Sequence, residues 1–350
     1  YEGLTINEPG ILRFSDKEQD YLQLAGLVVR AGAVVTHSVI DGCNGRCIDV
    51  AGDGILVEHN FIRNGTRLGQ YEGAISIHGR NARIERNWIE NSGHDGIGFM
   101  AKAVEGAIVR RNWILNSGLQ AWDAAGITIG GHPNGKVNID SNLVMNVYKE
   151  GSGIFIDEAS QQNYVDHNVV GGTTVGVIGQ AAIASKIYTF KNNYIWNNTI
   201  LPGVPVSFAV REINDLSGSQ FENNITTALP TIQTIIRTYP SSISSRVSSP
   251  NEYFSWGAAW NGNLEASIDP KVKDVAQQDF SLLPGSPAID IGVVGSWAFK
   301  GTRPDAGAVE SGTSPWVFGP YDDVVPHIVN PILGFEDASK WNPPSWDNGA

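Results

Sequence analysis

Between about residues 47 and 224 the chain alternates apolar with small or polar positions in phrases that return at a near-constant interval. One phrase reads Val57-Glu58-His59-Asn60-Phe61-Ile62-Arg63-Asn64. It returns as Ile84-Glu85-Arg86-Asn87-Trp88-Ile89-Glu90-Asn91 and as Val109-Arg110-Arg111-Asn112-Trp113-Ile114-Leu115-Asn116. Further copies place the leading asparagine at Asn142, Asn168, Asn193 and Asn224, so the gaps from Asn60 onward are 27, 25, 30, 26, 25 and 31 residues. A second phrase puts a small residue before alternating apolar ones: Ala74-Ile75-Ser76-Ile77, Gly96-Ile97-Gly98-Phe99, Gly126-Ile127-Thr128-Ile129, Gly153-Ile154-Phe155-Ile156 and Gly176-Val177-Ile178-Gly179. Period-two alternation rich in β-branched residues predicts strands, and no amphipathic helical stripe competes with it.

A period of this kind is the signature of a stacked repeat. Two or three short strands per coil, with Gly and Asn at the corners, predict an all-β chain folded as a right-handed parallel β-helix, its coils about 4.8 Å apart. One coil cannot bury its own apolar side. Ile75, Ile97, Ile127, Ile154 and Val177 are therefore expected to form one internal column, and Ile77, Phe99, Ile129 and Ile156 another. The recurring asparagines are expected to stack as an amide ladder at one corner of consecutive coils over residues 34–225, with Asn60, Asn87, Asn112, Asn142, Asn168 and Asn193 as its rungs. Their role is structural.

The rhythm is weaker at both ends. Residues 1–45 hold looser coils, with Ile11-Leu12-Arg13-Phe14 as a short strand and 34–40 as the first full strand pair. The opening at Tyr1, already inside a coil, predicts a processed N-terminus. From 225 to 280 the repeat lapses; 241–249 is serine-rich, and Tyr253, Phe254, Trp256 and Trp260 crowd behind it as an excursion shielding the solenoid. The domain reading is a β-helix with its C-terminal cap over 1–310, followed by a linker and tail over 311–350.

Composition narrows the class. With 40 Gly, 10 Trp and 17% charged residues the chain is neither disordered nor a coiled coil, and no apolar run approaches the roughly 18 residues of a membrane span. A net charge of −12 leaves no basic stripe for nucleic acid, and it favours a neutral over a polyanionic glycan. Cys43 and Cys47 are the only cysteines, too few for a zinc site; the tight Asn-Gly-Arg turn between them favours a disulfide over two buried thiols, and with it an oxidising, extracellular compartment.

Three local resemblances add to this. Phe280-Ser281-Leu282-Leu283-Pro284-Gly285-Ser286-Pro287-Ala288-Ile289-Asp290-Ile291-Gly292 with Arg303-Pro304-Asp305-Ala306-Gly307-Ala308-Val309-Glu310 resembles the closing signature of bacterial secreted right-handed β-helix proteins, which implies that Asp290, Asp305 and Glu310 are capping residues. Asn330-Pro331-Ile332-Leu333-Gly334-Phe335-Glu336 resembles the opening strand of a jelly-roll carbohydrate-binding module, here at most truncated. Gly153-Ile154-Phe155-Ile156-Asp157-Glu158 is similar to a segment of β-helix glycoside hydrolases of the β-xylosidase and fucosidase type, which implies that Asp157 serves the chemistry.

Chemistry is expected on one outer face, where coils of this fold, whether in hydrolases, lyases, epimerases or adhesins, build a groove. Glycoside hydrolysis needs two carboxyl groups about 5 to 10 Å apart, which neighbouring coils supply without special arrangement. Asp157 and Asp123 are the expected catalytic pair, with Glu158 setting their charge. His78, His94, Asp95, Trp122, His132, Tyr148 and Glu150 are the expected substrate-binding residues of a secreted glycoside hydrolase acting on a polysaccharide or oligosaccharide. No cofactor is required, although carboxylates in one groove can hold calcium. Glu72 lines the same face, and Gln180 is expected to follow Asp157 in its column. Arg46, Arg80, Lys102, Lys136 and Lys149 share no column; a clustered Lys/Arg pair would favour the alternative of a polysaccharide lyase or epimerase, and a groove without such chemistry a non-catalytic adhesin. The oligomeric state is left open.

Overall fold

The computed structural model describes residues 5–7, 11–13, 25–69, 72–99, 104–121, 124–130, 136–148, 151–157, 162–171, 181–186, 192–201, 208–211, 217–226, 232–238, 241–247, 259–264, 268–314 and 318–319. Three parallel sheets run the length of a solenoid, one of ten strands and two of eight. The first eight coils contribute one strand to each and the last two a strand to the ten-stranded sheet alone, so strands that are hydrogen-bonded neighbours lie one coil apart in sequence. A representative coil passes from Leu56–Glu58 in the ten-stranded sheet I to Phe61–Gly65 in sheet II and Gly73–Ile77 in sheet III, then returns to sheet I at Arg83–Glu85. Sheet I begins at Thr5–Asn7 and ends at Ala259–Asn261, so coils extend past both ends of the regular repeat. The serine-rich excursion contains an antiparallel hairpin of Ile232–Thr238 and Ser241–Val247.

The core follows from the alternation. Ile48, Ile75, Ile97, Ile127, Ile154, Ile183 and Phe208 pair in register along sheet III. Ile77, Phe99, Ile129 and Ile156 form the adjacent column, each no more than 1% exposed. Val177, expected in the first column, lies outside the described residues; Ile183 takes that place. Gly126 shows how little room is left inside: a Cβ there would sit 2.2 Å from a Val144 methyl of sheet II.

At the corner between sheets I and II the chain needs one left-handed residue and then the ladder asparagine. His59, Arg86, Arg111, Ser141, His167, Asn197 and Asn223 hold the left-handed position, with φ between 53° and 57° in all but Asn197 at 51°. Each ladder amide bonds the coils on both sides. Asn87 Nδ2 donates to Val57 O at 2.9 Å and to Asn112 Oδ1 at 3.0 Å, and Asn112 Oδ1 also accepts the Asn87 backbone N–H at 2.9 Å. The ladder runs Asn60, Asn87, Asn112, Asn142, Asn168, Asn198, Asn224 and Asn263.

Asn193 is not one of its rungs, which corrects the sequence reading. It stacks instead with Asn163 and Ser219 at the corner between sheets III and I, where earlier coils carry Ile55, Ala82, Ala107 and Val137. The chain has an Asn-Asn pair at 192–193 and another at 197–198, and Asn192 and Asn197 are both left-handed, with φ 55° and 51°. The two corners thus share one local signature, and only the stacking tells them apart.

A second amide row lines the corner between sheets II and III. Asn91 Nδ2 donates to Asn64 at 3.4 Å, Asn116 to Asn91 at 3.0 Å and Asn146 to Asn116 at 3.2 Å. The row ends on Asp41, which accepts from Asn64 at 2.8 Å and forms a buried ion pair with Arg63 at 2.8 Å. Outside sheet II, Phe61, Trp88 and Trp113 follow in register; Phe61 meets Trp88 edge-on, and Trp88 and Trp113 stack with ring centres 4.2 Å apart. Further along, Leu143, Met145, Val169 and Leu201 continue this outer face and are buried by Phe280, Ala308, Val309 and Phe318 of a C-terminal strap. The strap is tied down by Ala308 N–H to the Thr199 hydroxyl at 2.9 Å and Val293 N–H to Asn223 Oδ1 at 2.6 Å. Asp290, Asp305 and Glu310 accept its backbone N–H groups, from Thr302, Ser311 and Lys300 among others.

Cys43 and Cys47 are bonded to each other, with Cα atoms 5.3 Å apart, and both are buried at the corner beneath Gly65. The ring they close is short, so its contribution through unfolded-state entropy is only about 2 kcal/mol. A Cys43→Ala/Cys47→Ala variant is expected to lose about that much in urea unfolding while keeping the solenoid's circular dichroism. A loss above about 5 kcal/mol would mean that the bridge is needed to form the first coils.

Candidate functional site

The outer face of sheet III presents Asp49, Ser76, Gly98, Thr128 and Phe155 in register on successive coils, alternating with the core columns. Two coils bring four polar side chains together on it. Arg46 and Asp49 lie on the strand Arg46–Val50, while Glu72 and His78 flank the strand Gly73–Ile77 on the next coil. Arg46 bridges the two carboxylates, donating to Asp49 Oδ2 at 2.7 Å and to Glu72 Oε1 at 2.5 Å. His78 Nε2 sits 3.4 Å from Asp49 Oδ1 and 3.3 Å from an Arg46 amino nitrogen. The side chains are 22% (Arg46), 12% (Asp49), 20% (Glu72) and 27% (His78) exposed, so the cluster is held firmly yet reachable from solvent.

The electrostatics follow from this packing. The Glu72 hydrogen bond, helped by the charges of Glu72 and Asp49, holds the Arg46 guanidinium above its ordinary range. Burial pushes the His78 imidazole below its ordinary value, and the Arg46 charge adds to this against the opposing pull of Asp49 and Glu72. The cluster therefore combines two carboxyl groups with one firmly held guanidinium and an imidazole that burial keeps uncharged to lower pH than usual.

The other expected site residues fall in different places. Asp157 closes the strand Ser152–Asp157 and is partly exposed. It shares the column of His78, three coils or roughly 14 Å along the axis. The next two register positions after Asp157 are Lys186 and Arg211; Gln180, expected there, lies outside the described residues. Asp123, Glu158, Trp122, His132 and Glu150 also lie outside them. His94 and Asp95 are buried, 3% and 0% exposed, rather than open to the groove. Asp95 Oδ1 accepts the Ala125 backbone N–H at 2.7 Å, a contact that joins two coils, and lies 3.1 Å from the Nδ1 of its sequence neighbour His94. Tyr148, half-buried, donates its hydroxyl to Asn116 Oδ1 at 3.4 Å beside the second amide row.

Sequence reasoning found His78 and placed Glu72 and Arg46 near the groove, but it passed over Asp49. That residue lies in Cys-Ile-Asp-Val, one coil before the repeat becomes clear, and the alternation Ile48-Asp49-Val50 is the signal that aims it outward.

Residues 9–170 match the family model described as the right handed beta helix region. Among solved structures, the pectate lyase Pel9A is similar with a TM-score of 0.52 and 13% sequence identity, covering 87% of this chain and 86% of that one. The likeness is one of fold. No curated protein matches the sequence. The chain is thus a right-handed parallel β-helix, with its cluster of charged groups on an outer sheet face.

Proposed function

We propose that the protein is a carbohydrate-active enzyme, a glycoside hydrolase that lays a neutral or weakly charged glycan along the outer face of sheet III. The observation that carries this reading is the pair Asp49 and Glu72, carboxylates supplied by adjacent coils to one solvent-reaching cluster. Adjacent coils fall in the spacing range, about 5 to 10 Å, over which two carboxyl groups act on a glycosidic bond. Asp49, held by Arg46 and beside His78, is the base or nucleophile; Glu72, the more exposed, takes a proton from solvent once the bound glycan displaces its Arg46 hydrogen bond, and hands that proton to the leaving oxygen. Asp157 grips the glycan further along the same face, with Glu158 as its sequence neighbour. The chain's formal charge of −12 suits a neutral sugar better than a uronate. The Cys43–Cys47 bond suits work outside the cell.

A second reading, elimination from a uronate polymer, draws on Lys186 and Arg211 following Asp157 in register. Pectate lyase Pel9A, which is similar in fold, is named for an activity of that class. One screen separates the readings: the purified chain is incubated with a panel of neutral and acidic polysaccharides, scoring new reducing ends and the ultraviolet absorbance of unsaturated uronate. Reducing ends without that absorbance are the expected result. Reducing ends with it would transfer the assignment to elimination, and tight binding with neither would make the chain a carbohydrate-binding solenoid.

A further inference from the structure

On a different sheet of the solenoid, the outer face of sheet I carries Glu58, Glu85, Arg110, Asp140 and Asp166 in register on successive coils. The first acidic stretch is neutralised: Glu85 accepts from Arg83 at 2.6 Å and from Arg110 at 2.9 Å. Asp140 and Asp166 are not. They lie side by side on adjacent strands, and among the described residues no lysine or arginine forms an ion pair with either, since the Arg110 guanidinium is turned to Glu85. Asp140 keeps the Ser141 hydroxyl at 2.5 Å, while Asp166 Oδ1 is buried with no hydrogen-bond partner. Like charges directly opposite each other weaken strand pairing, and a buried carboxylate oxygen left unpartnered adds a desolvation cost.

His167 completes the set. It occupies the left-handed corner position, φ 54°, which brings its ring back to Asp166, Nδ1 to Oδ2 3.2 Å. One ligand atom from each of Asp140, Asp166 and His167 lies within 4.8 Å of the other two. Beside His167 opens a cavity of about 170 Å³ shared with Asn197, Trp297 and Glu310. We propose that Asp140, Asp166 and His167 bind a divalent first-row transition-metal ion of the zinc or manganese class. Two carboxylates alone would suit calcium; the imidazole nitrogen shifts the preference toward first-row transition ions, which accept a nitrogen donor more readily than calcium does. Three protein ligands leave coordination positions for water or a ligand oxygen in the cavity, and the ion cancels the repulsion between two coils. This site is independent of the glycan reading.

The test is calorimetric titration of the full chain, freed of metal with a chelator, with zinc chloride, manganese chloride and calcium chloride in parallel. The expected result is one saturable site at which zinc or manganese binds at least about tenfold tighter than calcium, and at which Asp166→Asn weakens binding at least about tenfold. His167→Asn keeps a residue suited to left-handed backbone, as Asn197 is on the next coil. It is expected to weaken binding equally while leaving the metal-free melting curve near that of the wild type; Asp49→Asn should leave binding unchanged. Absence of a saturable site, equal affinity for calcium, or undiminished binding in Asp166→Asn and His167→Asn would overturn the proposal.

Discussion

Replacing Asn112 by alanine is expected to cost about 3–6 kcal/mol in urea unfolding, the largest loss for any single change in the repeat. The side chain is wholly buried. Its oxygen accepts both the backbone and the side-chain N–H of Asn87, and its nitrogen donates to Ile84 O at 2.8 Å. Truncation strands the Asn87 backbone N–H and leaves Asn87 Nδ2, Ile84 O and Asn142 Oδ1 each one bond short in a buried corner, at about 1–3 kcal/mol for each group left unsatisfied. Asn116→Ala, in the half-buried second row, removes a 3.0 Å bond to Asn91 where solvent can substitute, and should cost about 1 kcal/mol. Equal losses at the two positions would mean that burial is not what makes the ladder valuable.

The second large effect is on turnover. With the substrate that the screen identifies, Asp49→Asn and Glu72→Gln are each expected to lower kcat roughly 10²–10⁴-fold, the usual contribution of a positioned acid or base. Both substitutions keep size and leave the core columns untouched, so circular dichroism and melting should stay close to the wild type. Near-normal rates in both would move the chemistry elsewhere on the face, with Asp157→Asn the next variant to assay. The pH profile gives an independent check. Because burial holds the His78 imidazole below its ordinary value of 6.5, it stays neutral as pH falls through 6.5, and the acid limb of activity should lie below that value. In His78→Gln that limb should disappear or move.

The architecture was legible because a solenoid repeats its reasons. Ile75, Ile97, Ile127 and Ile154 each announce the same inward position, and stacking turns four weak local signals into one column. Where two corners shared a local signature, as at Asn193 and Asn198, the repeat could not tell them apart, because the distinguishing contact is with the coils above and below. The candidate site was legible only in part. His78 follows a clear strand, but its partners Arg46 and Asp49 sit one coil earlier, and an ion pair across coils depends on register that no single phrase contains. The buried pair His94 and Asp95 shows the opposite limit: polar residues beside a strand look like groove residues until the next coil covers them.

The C-terminal strap changes how the molecule should come apart under tension. A solenoid whose coils touch only their neighbours peels from a free end one coil at a time, at low and even force. Here Ala308 is pinned to Thr199 across 109 residues of sequence, and the strap buries Leu143, Met145, Val169 and Leu201 on three coils at once. A pull from the C-terminal side must shear that strap before the last coils can open. The force–extension record should therefore begin with one high rupture, followed by a train of smaller, nearly equal steps of about 25 to 30 residues each, one per coil.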